Sequence, residues 1–424
     1  MPMKEVSIIG AGLSGLSLCL FLAKHNITSK IYELRPANTT SEGAVMLSPN
    51  ALRTLDILGL YARIKSKGYH FRDLSFNNND HETLDTYEMG NADKFGYDAL
   101  RVYRQVLLDE LKAMIAEAGN DKIEILYEKK FSHIVSSTTT ANDNNNNITF
   151  ALTDGSTHTT PLLLGADGIH STLRAHLAPT AAQPTFSSFL AITFPLSSSH
   201  LILPPTPTPY PLPVSISHPL GGAFVLAPQN PTATDLLAGT QIRTHDRPRS
   251  EWDAFLRNKD LLYKTHLRGP HNDKYNSWNA LIKSALDACP LEKLSLWPFY
   301  TVPKIPRWFS EEDGGRVVIL GDAAHAIPPA AGQGVCQAFE DVHSLALALA
   351  AANEGVVEWT EGLGWWQEYR QGRVERTQGL TDEMNRRRMP GWSGMGAERM
   401  DSSWLFGVDV EGDVKRYIDG QKGR

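Results

Sequence analysis

The sequence has little of what marks several broad function classes. Three cysteines, Cys19, Cys289 and Cys336, are scattered over 424 residues, which excludes a disulfide framework and a cysteine zinc site. Neither sign of charge prevails. Against 47 Asp and Glu stand 41 Lys and Arg, so no basic face for a nucleic-acid backbone is expected. Long apolar runs are absent: residues 16–23 are too few to span a bilayer. Gly10, Gly12 and Gly15 interrupt the apolar segment that a secretory signal needs. The histidines, among them His170, His200, His245, His266 and His271, show no ligand spacing, and no metal is expected. What remains is a cytoplasmic, folded chain, 42 % hydrophobic, whose length suggests about two to three domains.

The N-terminal pattern is that of a βαβ unit. Residues 4–9 form a short apolar run, 13–25 an apolar helix, and 30–34 a second strand closed by Pro36. Helical spacing recurs over 51–60 and 106–119, and 136–147 reads as a Ser/Thr/Asn-rich hairpin loop. From 175 to 242 the single formal charge is Asp235. Apolar segments at 186–194 and 213–216 read there as strands, and the prolines of 204–213 make an extended connector. Residues 316–320 are a buried strand. A long helix is expected over 335–352, with Ala338, Val342, Leu345 and Leu349 on one face. After Trp359 the tail reads as mixed helix and loop, with Arg386 to Arg388 as a solvated basic face.

Gly10-Ala11-Gly12-Leu13-Ser14-Gly15 follows the first strand and opens the helix, and Glu33 stands 21 positions after Gly12. Glycines there permit a tight turn and close backbone approach, and the helix N-terminus suits a pyrophosphate. A carboxylate at Glu33 would accept hydrogen bonds from ribose hydroxyls, which favours FAD or NAD over a 2′-phosphorylated nucleotide. Leu34 and Arg35 would line the adenine side. An ordinary β-turn-α crossover without ligand competes with this reading of the glycines alone.

Two further motifs choose between the cofactors. One is Gly165-Ala166-Asp167-Gly168-Ile169-His170-Ser171, continuing to Arg174. The other is Gly321-Asp322-Ala323-Ala324-His325, continuing through Pro328-Pro329 to Gly332-Gln333-Gly334 and the Glu340-Asp341 pair. With these residues the chain, over about 4–380, resembles the single-component (group A) FAD-dependent aromatic hydroxylases, the para-hydroxybenzoate and salicylate hydroxylase family. The resemblance implies an α/β fold: a Rossmann-like FAD-binding domain of the glutathione-reductase type, an interleaved and mostly antiparallel β-sheet substrate domain, and a C-terminal helical region. On that pattern, 1–70, 98–174 and 300–355 form the FAD domain, 71–97 and 175–299 the substrate domain, and 356–424 the helical region.

FAD is then the implied cofactor, with NAD(P)H as co-substrate. The implied reaction is hydroxylation or epoxidation by O2 through a flavin hydroperoxide. By the same resemblance Asp322 holds the ribityl chain, and Asp167 supports the cofactor and nicotinamide nucleotide use. Arg104 contacts FAD from the start of a helix, with Arg101 as a competitor for that role. Gly43 and Val45 pass along the flavin. The amides of Gly332, Gln333 and Gly334 face its pyrimidine, where the helix dipole stabilises the reduced anion, and Val335 lies against it. Pro328 belongs beside the carbon where oxygen adds, and His325 makes a structural hydrogen bond beneath the flavin. No side chain is assigned to catalysis with certainty. One departure is clear: the family's asparagine is Cys336 here, a poorer hydrogen-bonding group, and a small buried cysteine is expected there.

In the family, the stretch 175–242 roofs the substrate. It contains no Lys or Arg, so a neutral, largely apolar aromatic or conjugated small molecule is expected. Phe186, Phe189, Phe194, His218 and Phe224 are candidate pocket residues, and Arg243 or Tyr103 would meet an acidic group from another wall. The rivals are a flavin-dependent halogenase, whose Trp-x-Trp-x-Ile-Pro signature is missing, and a non-catalytic FAD-binding redox sensor. A Baeyer–Villiger enzyme needs a second dinucleotide fingerprint, and the glycines of 391–396 lack its spacing. A monomer or weak homodimer is expected.

Overall fold

The computed structural model describes residues 2–137, 147–181, 183–206, 209–219, 222–388 and 401–421. Most of the expected loop at 136–147, and the glycines of 391–396, lie outside them. Strand β1 (Glu5–Ile9) is buried from Val6 onward, and helix α1 (Leu13–Lys24) is buried along most of its length. Both are the marks of elements sandwiched between layers. Strand β2 (Thr28–Tyr32) lies beside β1 in parallel. It starts two residues before the expected 30–34, because Thr28 and Ser29, polar in composition, still pair with Glu5 and Val6 through their backbones. Glu33 is thereby placed just beyond the strand end. The sheet is completed by Ile123–Leu126 on one side and by Leu163–Gly165 and Val317–Ile319 on the other. All its pairings are parallel.

Strands β3 (Ala44–Leu47), β4 (Tyr69–Phe71) and β5 (Ala99–Tyr103) form a small antiparallel sheet with β5 in the middle. Helix α2 (Pro49–Leu58) follows β3, with proline in its first turn and Gly59 in the left-handed conformation closing it. Helix α3 (Arg104–Ala118) follows β5 directly, so Arg104 is its first residue.

A seven-stranded sheet packs beyond them. From one edge it runs through Ser295–Thr301, β6 (Thr185–Ser197), β7 (Asp235–Arg243), Gly222–Pro228 and Val214–His218 to Asp73–Asn78 and Thr83–Glu88 at the far edge. Side chains alternate between its faces. Leu190, Ile192, Phe194 and Leu196 share one core with Phe224, Trp252, Trp278, Leu281 and Ile282, against short helices. Phe194 sits 6.4 Å from Phe224, Phe224 6.2 Å from Trp278, and His218 5.3 Å from Trp278. Phe186 packs 5.8 Å from Trp252 on the same side. Four of the five expected pocket residues therefore belong to this domain's own core. Phe189, with the opposite parity, does not.

Helix α4 (Gly334–Asn353) buries Ala338, Val342, Leu345 and Leu349 as the spacing predicts, and most of its other residues as well. The tail differs from expectation. One helix, α5 (Trp359–Arg387), runs 29 residues without a break. Its buried positions Leu363, Trp366, Arg370, Val374, Thr377, Thr381 and Met384 recur at helical spacing. Its glycines and charges hid that stripe from a composition-based reading. Arg387 is likewise no part of a solvated face: it is buried, paired with Asp85 and with Glu383 at 2.9 Å, while Arg386 stays exposed. No described helix is long and apolar enough to cross a membrane.

Candidate cofactor and substrate site

Glycine 12 heads α1 with no side-chain cap, so the first amides of the helix are open to an anion. A Cβ built on Gly12 meets nothing within 4 Å, whereas one on Gly15 falls 2.0 Å from the Gly10 carbonyl oxygen. The space before Gly12 is the cradle that a pyrophosphate would fill. Glu33 faces this loop. Its carboxylate accepts the Ala11 N–H at 2.7 Å and the Arg35 N–H at 2.8 Å, and Leu34 beside it is 56 % exposed. Leu13 is buried in the core, so only its amide faces the cradle.

The second motif closes on the first. Gly10 lies against Ala166 and Asp167. Asp167 accepts the Thr172 N–H at 2.9 Å, and its other oxygen is buried without a partner among the described residues. Burial raises its carboxyl pKa above the ordinary range. Arg174, ending this motif, donates to the carbonyls of Ala323 and Ala324 at 3.1 and 3.0 Å, which fixes the loop after Asp322.

The third motif completes the cleft. Ser14 packs against Gly321. Asp322 is open to solvent yet walled by protein, and this enclosure raises its pKa, while Arg104 and His325 act in the opposite direction. Arg104 is depressed chiefly by its own burial, with the Asp322 charge opposing that and Arg35 adding to it. Arg35, Arg104 and Asp322 thus converge from three distant segments. Gly43 has φ 82° and its carbonyl accepts the Arg104 N–H at 3.0 Å. The Val45 side chain packs on the main core, leaving its backbone for a ligand.

Gly332 takes φ 65°, with Met46 where a Cβ would stand. Gln333 is fully buried, and its amide donates to Ser48 Oγ at 2.8 Å. Its side chain therefore anchors the loop to α2, and only its backbone is free for a flavin. Val335 is half-buried at the edge of the core. Helix α4 starts here without a side-chain cap, so its first amides are open. Cys336 is fully buried, reaches Met46 O at 3.4 Å and Gly332 O at 3.6 Å, and is pushed up to about 11 by burial. It is a thiol donor that ties α4 to β3.

Beneath the loop lies a buried ionic lattice. Asp341 accepts from Gly321 N–H at 2.9 Å, His325 Nε2 at 2.5 Å and Arg370 Nε at 2.7 Å. Glu340 accepts from Asn50 at 2.7 Å and Arg373 Nε at 2.6 Å, and pairs with Arg370. Burial opposes ionisation of both carboxyls, but the surrounding cations outweigh it and hold both below their usual range.

A cavity of about 320 Å³ opens beside Pro328. Phe189, Trp308 and Val374 give it apolar wall, and Gln378, Thr381 and Asn385 of α5 give it polar groups. The Arg243 guanidinium stands 5.3 Å from the Phe189 ring centre. Among the described residues no cluster suited to a metal occurs.

The cradle, the ribose acceptor and the two loops fit FAD, and comparison with known proteins decides the matter. The FAD binding domain family matches residues 3–204 and 301–381. This chain belongs to that family. The flavoprotein is 26 % identical to hispidin-3-hydroxylase of Neonothopanus nambi over 81 % of this chain and 80 % of that one. It is 25 % identical to salicylate hydroxylase of Pseudomonas putida, covering 97 % and 94 %. Its fold matches Klebsiella pneumoniae HpxO, solved with FAD and uric acid, at TM-score 0.70 and 19 % identity, over 99 % and 96 % of the chains. FqzB matches at 0.76 and 18 %, over 99 % and 95 %. This chain is therefore an FAD-dependent oxidoreductase, similar to the aromatic hydroxylases.

In this flavoprotein Ser14 meets Gly321, Gly10 meets Asp167, a Cβ on Gly334 would lie 4.0 Å from Asp322, and Arg104 stands within electrostatic reach of Asp322, while Pro328 and Phe189 line the cavity nearby. Reading the sequence missed Ser48, Asn50, Arg370 and Arg373, which hold the loops, and the α5 wall. The spacing of Val374, Gln378, Thr381 and Asn385 was the available signal, but polar residues on a helix do not announce which face is covered.

Proposed function

We propose that this flavoprotein is a monooxygenase that uses NAD(P)H and O2 to hydroxylate or epoxidise an aromatic or conjugated small molecule. The overall balance is substrate, O2, NAD(P)H and a proton going to oxygenated product, NAD(P)+ and water. Bound FAD would supply the redox chemistry, passing two electrons from NAD(P)H to O2 so that one oxygen atom enters the substrate. The chain's residues do the rest. Asp322 and Arg104 hold the ribityl-phosphate side, Glu33 the ribose, and the amides of α1 the pyrophosphate. The open amides of α4 favour negative charge on the flavin pyrimidine. Pro328, Trp308 and Phe189 present apolar wall where water must be kept from the reacting centre.

We assign the FAD layer to the glutathione-reductase type, with 1–70, 98–174 and 300–355 as its segments and 71–97 with 175–299 as the substrate layer. The single observation that carries the reading is the meeting of three remote motifs, Ser14 on Gly321 and Asp167 on Gly10, next to a cavity at Pro328. Purified protein should be yellow and release FAD on denaturation. Asp322→Ala should lose most of its flavin while keeping the native circular dichroism spectrum. An aromatic panel should stimulate NADPH oxidation, with oxygen-18 from O2 in the product. Colourless protein that cannot be reconstituted overturns the reading. Flavin that no compound helps to reduce would favour a sensor instead.

A further inference from the structure

Several polar groups around the cavity beside Pro328 are already spent. Ser187 Oγ donates to the Phe299 carbonyl at 2.9 Å, Gln371 donates to Glu375 at 3.1 Å, and Lys304 pairs with the same Glu375. Asn385 is different. It lines the cavity at only 5 % exposure, and its Oδ1 accepts from Gln241 Nε2 at 2.9 Å. The two Nδ2 hydrogens have no acceptor among the described residues, and the cavity is the open space beside them. A donor held in so enclosed a place is costly to leave without an acceptor, and a ligand that supplies one removes the cost.

Gln241 aims that donor. On β7 it stands opposite Ala191 of β6 and Ala223, on the sheet face that also carries the cavity-lining Phe189. Its hydrogen bond ties the amide of Asn385 to the sheet, so the orientation is set before a ligand arrives. Thr381, one turn earlier on α5, lines the same cavity and is 1 % exposed. Its hydroxyl hydrogen goes to the Thr377 carbonyl at 3.0 Å, so towards a ligand this oxygen can only accept. Residues four apart on a helix are neighbours. Helix α5 therefore presents a donor and an acceptor side by side, in a cavity whose apolar wall includes Phe189 and Trp308. Charge fits a neutral ligand: among the described lining residues Lys304 is the one Lys or Arg, and Glu375 and Asp382 outnumber it.

We propose that Asn385 and Thr381 set substrate specificity, and that the substrate is a neutral conjugated lactam. Asn385 Nδ2 donates to its ring carbonyl, Thr381 Oγ1 accepts from the adjacent ring N–H, and Gln241 is the positioning residue behind Asn385. This rests on the monooxygenase reading and deepens it. Neither Asn385 nor Thr381 belongs to the three cofactor motifs, and Asn385 lies beyond residue 381, where the family match ends. The recognition is thus a property of this chain's own α5 rather than of the shared FAD-binding segments.

The test uses holoenzyme and three bicyclic probes, 2-quinolone, 1-methyl-2-quinolone and 2-naphthoate, titrated by their perturbation of the flavin spectrum. Wild type should bind 2-quinolone at least about tenfold more tightly than 2-naphthoate, and about fivefold more tightly than the N-methyl form, which lacks the N–H. Asn385→Leu should weaken both quinolones about tenfold, leave 2-naphthoate within about twofold, and retain full FAD content. Thr381→Val should erase only the preference for 2-quinolone over its N-methyl form. Wild type that favours 2-naphthoate or binds no probe overturns the proposal, as does unchanged 2-quinolone binding by Asn385→Leu. Equal loss of all three probes in that variant, the mark of a merely structural residue, overturns it too. So does loss of FAD from the folded variant, which would give Asn385 to the cofactor. If Asn385→Leu does not fold, the ratio measured in Thr381→Val decides alone. Colourless wild type defeats the monooxygenase reading instead.

Discussion

Gly12 and Gly15 are three residues apart and answer to different constraints. Gly12 has φ −78°, which any residue adopts, and open space before it. Alanine there should fold as well as wild type but displace the pyrophosphate. Gly15 faces the Gly10 carbonyl at a distance no Cβ tolerates. Gly15→Ala should therefore lower the melting temperature of apoprotein, whereas Gly12→Ala should lower FAD retention alone. Parallel melting and flavin-release measurements separate the two. His343 is another residue whose setting dictates behaviour. Stacked 4.6 Å from Phe21 and buried, it is lowered to about 4, chiefly by desolvation. Its ring stays neutral in the fold while the unfolded chain takes a proton near pH 6.5. Stability from this residue is full above that pH and is lost as the pH falls from 6.5 towards 4. His343→Phe should flatten that limb of a melting-temperature profile; an unchanged slope would remove the assignment.

At the level of elements, α4 and α5 form a scaffold under the flavin loops. Arg370 bridges Glu340 and Asp341, and through them reaches Asn50, His325 and the Gly321 amide. Arg370→Met should cost about 3–5 kcal/mol, because two buried carboxylates lose their shared cation. FAD affinity should fall with it, since Gly321 and Gln333 lose their supports. Adding Glu340→Gln to Arg370→Met should recover part of the loss in denaturant unfolding; an additive double variant would sink the argument. The regular elements were legible to different degrees. Helix α1 and strand β1 declare themselves by apolar runs, because burial on most sides favours apolar residues, and α4 by the spacing of Ala338, Val342, Leu345 and Leu349, although it also buries Glu340 and Asp341. Helix α5 does not. Its stripe is filled by Trp, Arg, Thr and Met among glycines and charges, and becomes visible only when α4 and the substrate sheet cover it.

On the scale of the whole molecule, the proposed FAD site is a composite. Residues near 10–15, 33–35, 104, 167 and 321–335 reach it from separate segments, because strands 163–165 and 317–319 join the same sheet as β1 after long excursions. The seven-stranded sheet is likewise shared, with Asp73–Asn78 pairing in parallel with Val214–His218. Sequence alone determined the cofactor motifs, since a tight turn, an open helix start and a carboxylate after the second strand are local demands on residue type. It also determined the charge-poor character of the stretch from 175 to 242. Tertiary structure alone decided which of those apolar residues face a cavity. Phe194 and Phe224 turn to the helices and Phe189 to the cavity, because alternation along a strand has a sign only once one face is covered. The same holds for charge: nothing in the string distinguishes Arg386 from Arg370, and only the folded surroundings show that the first is exposed and the second buried against Glu340 and Asp341.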